Sequence, residues 1–164
     1  MFAARRLVTN LPRARPQAAL FHSTAPAFVQ KGDPIPSLDL GKGVIIGVPA
    51  AFSPACSSSH IPGYINHPKL KEAGQVFVVA VNDPFHQGLG CLLDPTGKSG
   101  VRFLGDPSGE FTKALDLSFD SSAIFGNDRS KRYALLVENG KVKQAFVEPD
   151  NIGLNVSAAE KVLG

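Results

Sequence analysis

Residues 43–60 read GVIIGVPAAFSPACSSSH. The first part, Gly43–Pro49, is apolar and rich in β-branched residues, lacks polar alternation and stops at a proline. That pattern predicts a strand covered on both faces. A turn built on Ser53 and Pro54 follows, and Cys56 then stands at the entry to a helix predicted over Ser57–Tyr64. Backbone N–H groups at a helix start have no intrahelical partner and the helix dipole favours negative charge there, so a thiolate at that place is stabilised and nucleophilic. A free cysteine can equally be a small core residue. Here its neighbours are polar and turn-forming, which points to the top of a loop. Ser53, three residues earlier, can set a hydroxyl against the sulfur or against a bound oxygen atom.

Working outward, Gln75–Val81 (QVFVVAV) is a second buried strand and Val101–Leu104 a shorter third. Arg132–Glu138 and Lys141–Glu148 flank Asn139-Gly140, a two-residue hairpin signal. Glu110–Leu115 reads as a short helix, and Ser157–Leu163 as a closing helix opened by the capping box Ser157-x-x-Glu160. Phe85–Leu93 carries no assignment, because Gly88 and Gly90 would each cost about 1 kcal/mol relative to alanine inside a helix. The order β-α-β-α-β-α-β-β-α predicts an α/β thioredoxin-like fold, a central mixed β-sheet flanked by helices.

The chain has 164 residues, room for one ordinary domain, and its 43% hydrophobic and 19% charged content suits a globular protein. The longest apolar run, Gly43–Ala51, is far too short to span a bilayer. The formal charge of +3 comes from one end: residues 1–30 hold Arg5, Arg6, Arg13 and Arg15 and no acidic residue, and the remainder is close to neutral. No basic face for nucleic acid is therefore expected. The Arg-bearing, acid-free, Ser/Thr-containing stretch 1–30 has the composition of a mitochondrial transit peptide, expected to be disordered, the plainer alternative being a disordered basic tail. Residues 31–164 are the predicted folded domain. Cys56 and Cys91 are the only cysteines, too few for a disulfide scaffold, and no CxxC is present. No motif calls for haem, flavin or another cofactor.

PAAFSPAC (49–56) has the form P-x-x-x-[TS]-x-x-C, and VPAAFSPACSSSHIPGY resembles the peroxidatic region of the peroxiredoxins, in their type II or peroxiredoxin-five branch. VVAVNDPF (78–85), RFLGDPSGEF (102–111), SAIFGNDRSKRYALLVENGKV (122–142) and VEPDNIGLNVS (147–157) resemble the same branch in the same order. The resemblance implies a mitochondrial antioxidant enzyme, a thiol-specific peroxidase for hydrogen peroxide and organic hydroperoxides. It makes Cys56 the peroxidatic cysteine, Ser53 the hydroxyl that orients peroxide, Pro49 the wall of the pocket and Arg132 the arginine that stabilises the thiolate and the developing oxygen charge. Without it, Arg132 would read as an exposed charge at a strand start. His60 matches a position beside the site. The resolving cysteine of some members is absent from Gly153-Leu154-Asn155-Val156-Ser157. Turnover is then expected to use an external thiol, from glutaredoxin and glutathione or from thioredoxin, with Cys91 a weaker candidate. A homodimer is compatible with the family; no membrane, nucleic-acid, metal or cofactor partner is implied.

Two stretches depart from the family. GDPIPSLDL (32–40) runs almost directly into Gly41-Lys42-Gly43, where the family has a further hairpin-bearing segment, and HQGLGCLL (86–93) is unlike the family. An alternative reading is thus a catalytically impaired or unstable splice or gene-model variant. A cysteine hydrolase using Cys56 and His60 lacks an evident orienting partner, and a Cys56/His60/His67 metal site lacks a fourth ligand and regular spacing.

Overall fold

The computed structural model describes residues 31–35 and 41–164. The expected transit peptide therefore lies outside the described residues, as does 36–40, the junction where the sequence departs from the family. Among the described residues there are seven strands: β1 (Lys42–Val48), β2 (Gln75–Ala80), β3 (Arg102–Gly105), β4 (Ser118–Phe119), β5 (Arg129–Ser130), β6 (Tyr133–Glu138) and β7 (Lys141–Val147). The main sheet runs β3-β2-β1-β6-β7, and β4 and β5 form a small separate pair. β1 pairs parallel with β2 and antiparallel with β6, so the sheet is mixed, as expected, with the strand that leads to Cys56 at its centre.

The helices are short: α1 (Ile61–Ile65), α2 (Gln87–Leu93), α3 (Glu110–Ala114), α4 (Ser122–Phe125) and α5 (Ala159–Val162). Side chains alternate across β1 with period two. Val44, Ile46 and Val48 pack with Ile61, Tyr64, Leu89, Ala159 and Val162 on one face, and Ile45 packs with Phe77, Tyr133, Leu135 and Leu117 on the other. Two covered faces explain why β1 and β2 read as unbroken apolar runs.

Asn139 and Gly140 both have positive φ, 53° and 71°, the geometry of the predicted two-residue hairpin. Residues 31–35 lie along the start of β7, with Gly32 N donating to Val142 O at 2.7 Å and Val142 N to Asp33 O at 2.9 Å, which covers a strand edge.

The unassigned Phe85–Leu93 falls into a three-residue 3₁₀ turn, Pro84–His86, and α2. Tertiary packing overrides its poor propensity. Leu89 is fully buried, and a Cβ on Gly90 would meet the Phe103 ring at 2.7 Å, so glycine is what lets α2 lie close on β3. The capping box, by contrast, is not formed. α5 starts at Ala159 with Ala158 at its N-cap and no side-chain cap, because the Ser157 hydroxyl donates to Glu148 instead. Among the described residues no helix is long and apolar enough to cross a membrane.

Candidate active site

β1 delivers the chain to the site through buried Pro49 and a tight loop. Ala51 N donates to Asn82 Oδ1 at 3.1 Å, which ties the loop to the end of β2, and Phe52 takes a left-handed φ of 64°. Ser53 Oγ donates to Ala50 O at 2.9 Å, and Ser53 O receives Ser57 N at 2.9 Å. The hydroxyl is thus committed to the loop's own backbone in this state and not to the sulfur. Pro54 then precedes a π-helical segment, Ala55–His60, that runs directly into α1. Ile61 N bonds Cys56 O, the wide i→i+5 closure of a π turn. A plain α-helix was expected here; such π turns carry no sequence signature.

Cys56 is fully buried at the first turn of this segment, and His60 is 1% exposed. Arg132 reaches both from the residue before β6. Its Nη1 donates to Cys56 Sγ at 3.4 Å and to His60 Nδ1 at 3.1 Å, and its Nε to Ile152 O at 3.0 Å. Its backbone is clamped as well, by Arg132 N to Asn151 O at 2.7 Å and Glu148 N to Arg132 O at 3.0 Å. The residue is 2% exposed, and among the described residues its guanidinium bonds a sulfur, a ring nitrogen and a carbonyl but no carboxylate. Guanidinium keeps its proton in proteins. A buried cation without an anionic partner is costly, and an ionised Cys56 would supply that partner.

Because Arg132 only donates, His60 Nδ1 must accept, and the ring proton sits on Nε2, which donates to Ser157 O at 3.0 Å. Burial, and then the Arg132 charge, push His60 down to about 4, against the opposing pull of the Ser157 carbonyl and of Glu148. The imidazole is therefore neutral near pH 7, in one tautomer. Tyr64, edge-on to His60 at 5.6 Å between ring centroids, also donates to Ser157 O, at 2.7 Å.

A pH dependence follows. The unfolded chain binds a proton at His60 near its ordinary value of 6.5 whereas the folded chain does so only at about 4. The folded state is favoured fully above the higher value and loses up to ~3 kcal/mol from this group as pH falls through that window. His86, pushed down by burial, acts in the same direction. Urea unfolding is expected to show stability dropping from neutral pH toward acid, while His60 ring resonances followed by NMR stay those of the neutral form to about pH 5. A His60 that titrates at the ordinary value would contradict this.

Of the residues singled out in the sequence, Cys56, His60 and Arg132 meet; Pro49 and Ser53 shape the loop above them. His67 is elsewhere, its Nδ1 accepting from Lys69 N at 3.2 Å, and among the described residues no group of three potential ligands gathers for a metal. Cys91 is exposed on α2, and both thiols are free. Sequence reasoning missed Glu148, Ser157 and Tyr64. Glu148 lay inside VEPDNIGLNVS, yet nothing local marks it as buried.

A model of the redoxin family matches residues 23–163. Mitochondrial peroxiredoxin-2F of Arabidopsis thaliana is 40% identical over 136 residues, 79% of this chain and 67% of that protein. This chain belongs to the peroxiredoxins. A peroxiredoxin 5 structure from Alvinella pompejana superposes with a TM-score of 0.65 at 36% identity, covering 76% of this chain and 92% of that one. The peroxisomal membrane associated protein 20 of Schizosaccharomyces pombe is 48% identical over 127 residues, 75% of this chain and 81% of that protein. The peroxiredoxin is of the type II, peroxiredoxin-five kind, and its fold is thioredoxin-like. The match to these peroxiredoxins does not favour the reading as an impaired variant.

Proposed function

We propose that this peroxiredoxin reduces hydrogen peroxide and organic hydroperoxides through Cys56, in antioxidant defence and redox homeostasis. The observation that carries the reading is the Arg132 guanidinium, buried without a carboxylate among the described residues and directed at Cys56 Sγ from 3.4 Å. The Cys56 thiolate attacks one peroxide oxygen. The S–O bond forms as the O–O bond breaks, and the departing oxygen leaves as water or an alcohol once protonated. Cysteine is oxidised to the sulfenic acid and the peroxide is reduced. Arg132 stabilises negative charge on sulfur and on the departing oxygen. Pro49 walls the pocket, and the Ser53 hydroxyl, now on Ala50 O, turns to the peroxide when it binds. An external thiol then displaces water from the sulfenic acid to give a mixed disulfide, and a second thiol releases Cys56. Glutathione with glutaredoxin, or thioredoxin, supplies those thiols; exposed Cys91 is the weaker candidate. Residues 1–30 act as a mitochondrial transit peptide and 31–164 as the catalytic domain, which can pair as a homodimer. A mitochondrial address accords with the Arabidopsis relative; the fission-yeast relative makes a peroxisomal one the outcome to exclude by fractionation.

Single-turnover loss of the Cys56 thiol to hydrogen peroxide, in the full chain with Cys91→Ser, tests the reading. A rate far above that of free cysteine is expected, with full recycling by one of the two reductant systems. A rate equal to that of free cysteine would overturn it.

A further inference from the structure

The site contains a buried acid that the chemistry above does not use. Glu148 directly follows β7 and is 2% exposed. One of its oxygens, Oε1, receives three donors: Asn155 N at 2.7 Å, Ser157 N at 2.8 Å and Ser157 Oγ at 2.7 Å. Burial pushes this carboxyl up, but the bonds from Ser157 and Asn155 outweigh it and hold Glu148 below the ordinary carboxylate range. The acceptor is thus a carboxylate at neutral pH, when its bonds are strongest.

We infer that Glu148 is a positioning residue for the peroxidase reaction: by fixing Ser157 it sets the ring of His60, and through it the Arg132 guanidinium that faces Cys56. With both its N–H and its hydroxyl on Glu148, Ser157 is held in one place, fully buried. Its carbonyl oxygen is then the fixed point for His60 Nε2 and Tyr64 Oη. The Nε2 bond decides the tautomer, leaving Nδ1 as an acceptor for Arg132 Nη1. An amino group of a guanidinium has two hydrogens. One goes to His60 Nδ1, which turns the other to Cys56 Sγ. Without the first, the guanidinium loses the bond that orients Nη1; it keeps Nε on Ile152 O and the contact with the sulfur itself. The Ser157 hydroxyl, which the sequence presents as a helix cap, is thereby enlisted by the active site.

The inference rests on the reading of Cys56 and Arg132 above, and the test separates the two. Glu148→Ala, Glu148→Asp and Glu148→Gln are made in the full chain with Cys91→Ser. Thermal unfolding, the downfield NMR signal of the His60 Nε2 proton, and the rates of Cys56 with hydrogen peroxide and with iodoacetamide are measured. Alkylation develops no charge on a peroxide oxygen, so the ratio of the two rates reports Arg132 placement, not thiol accessibility. Glu148→Ala is expected to lose the Nε2 proton signal and to lower the ratio about 10- to 100-fold. Glu148→Asp keeps the charge but is one methylene too short to reach its three donors, and behaves in the same way even if Glu148→Ala does not fold. Glu148→Gln keeps an acceptor oxygen in place and retains the signal and a ratio within about threefold of the parent. A folded Glu148→Ala or Glu148→Asp with signal and ratio unchanged would overturn the inference, as would a Glu148→Gln that loses both. If the parent itself reacts with peroxide no faster than free cysteine, the peroxidase reading fails, while the proton signal still decides the Glu148–Ser157–His60 linkage.

Discussion

Arg132→Ala slows oxidation of Cys56 by hydrogen peroxide about 10²–10³-fold, the loss typical of removing one preorganised donor at a site of developing charge. The geometry makes the effect large and specific. One nitrogen serves both Cys56 Sγ and His60 Nδ1, and Nε anchors the group on Ile152 O, so a single side chain carries all three contacts. Arg132→Lys is expected to recover little, because an ammonium is a point charge and cannot hold the carbonyl, ring and sulfur together in a fixed fork. Stability falls by only about 1–3 kcal/mol, the cost of stranding buried partners, offset by removal of a buried charge that has no carboxylate partner. The measurement is stopped-flow peroxide oxidation of Cys56 in the Cys91→Ser background, with urea unfolding of the same samples. A rate within about tenfold of the parent, well short of a lost charge-stabilising donor, would end the role assigned to Arg132.

Gly47→Ala destabilises the fold by about 3 kcal/mol, toward the upper end of what overpacking a filled core costs. Gly47 pairs with Tyr133 across β1 and β6, and an added Cβ would fall deep inside contact distance of Tyr133 Cε1, Cδ1 and Cζ. That ring is fully buried in the sheet face holding Ile45, Phe77 and Leu135, so it has nowhere to swing. The small entropic advantage of alanine over glycine in a strand does not offset a clash of that depth, and the loss is a large part of the ~5–15 kcal/mol that holds a domain together. Because Tyr133 follows Arg132 in the chain, peroxide reactivity should fall as well. Urea melts of Gly47→Ala, Tyr133→Leu and the double variant check the cause. Tyr133 Oη has no hydrogen-bond partner among the described residues, so removing it strands no other polar group. If the clash is responsible, the double variant is more stable than the two single losses added together; simple additivity would count against it.

Much of this protein was legible in one dimension. β1 and β2 are covered on both faces, and a strand in that position must be apolar at every residue, so GVIIGV and QVFVVA announce themselves. Asn139-Gly140 supplies the two positive φ values that a short hairpin requires. Cys56, after a buried strand and a proline-marked turn, stood out as a candidate nucleophile, but its polar neighbours pointed to a loop top, whereas the thiol is fully buried in the core with Val48, Ile61 and Tyr64. Its family resemblance then nominated Arg132, which local reading would have placed at the surface.

What tertiary structure alone decided is where the polar groups find their partners. Arg132 lies 76 residues from Cys56 in sequence, and Ser157 lies 97 from His60. Ser157 had the local pattern of a helix cap, yet a buried carboxylate nine residues before it claims both its donors. The segment 86–93 is helical against its glycines because Phe103 leaves room only for Gly90. Hydrophobic periodicity is written locally, since each residue meets water or core by its own place on an element. A buried donor or acceptor must instead be satisfied by whatever the fold brings beside it, and that choice is made across the sheet, between residues whose sequence neighbours carry no trace of it.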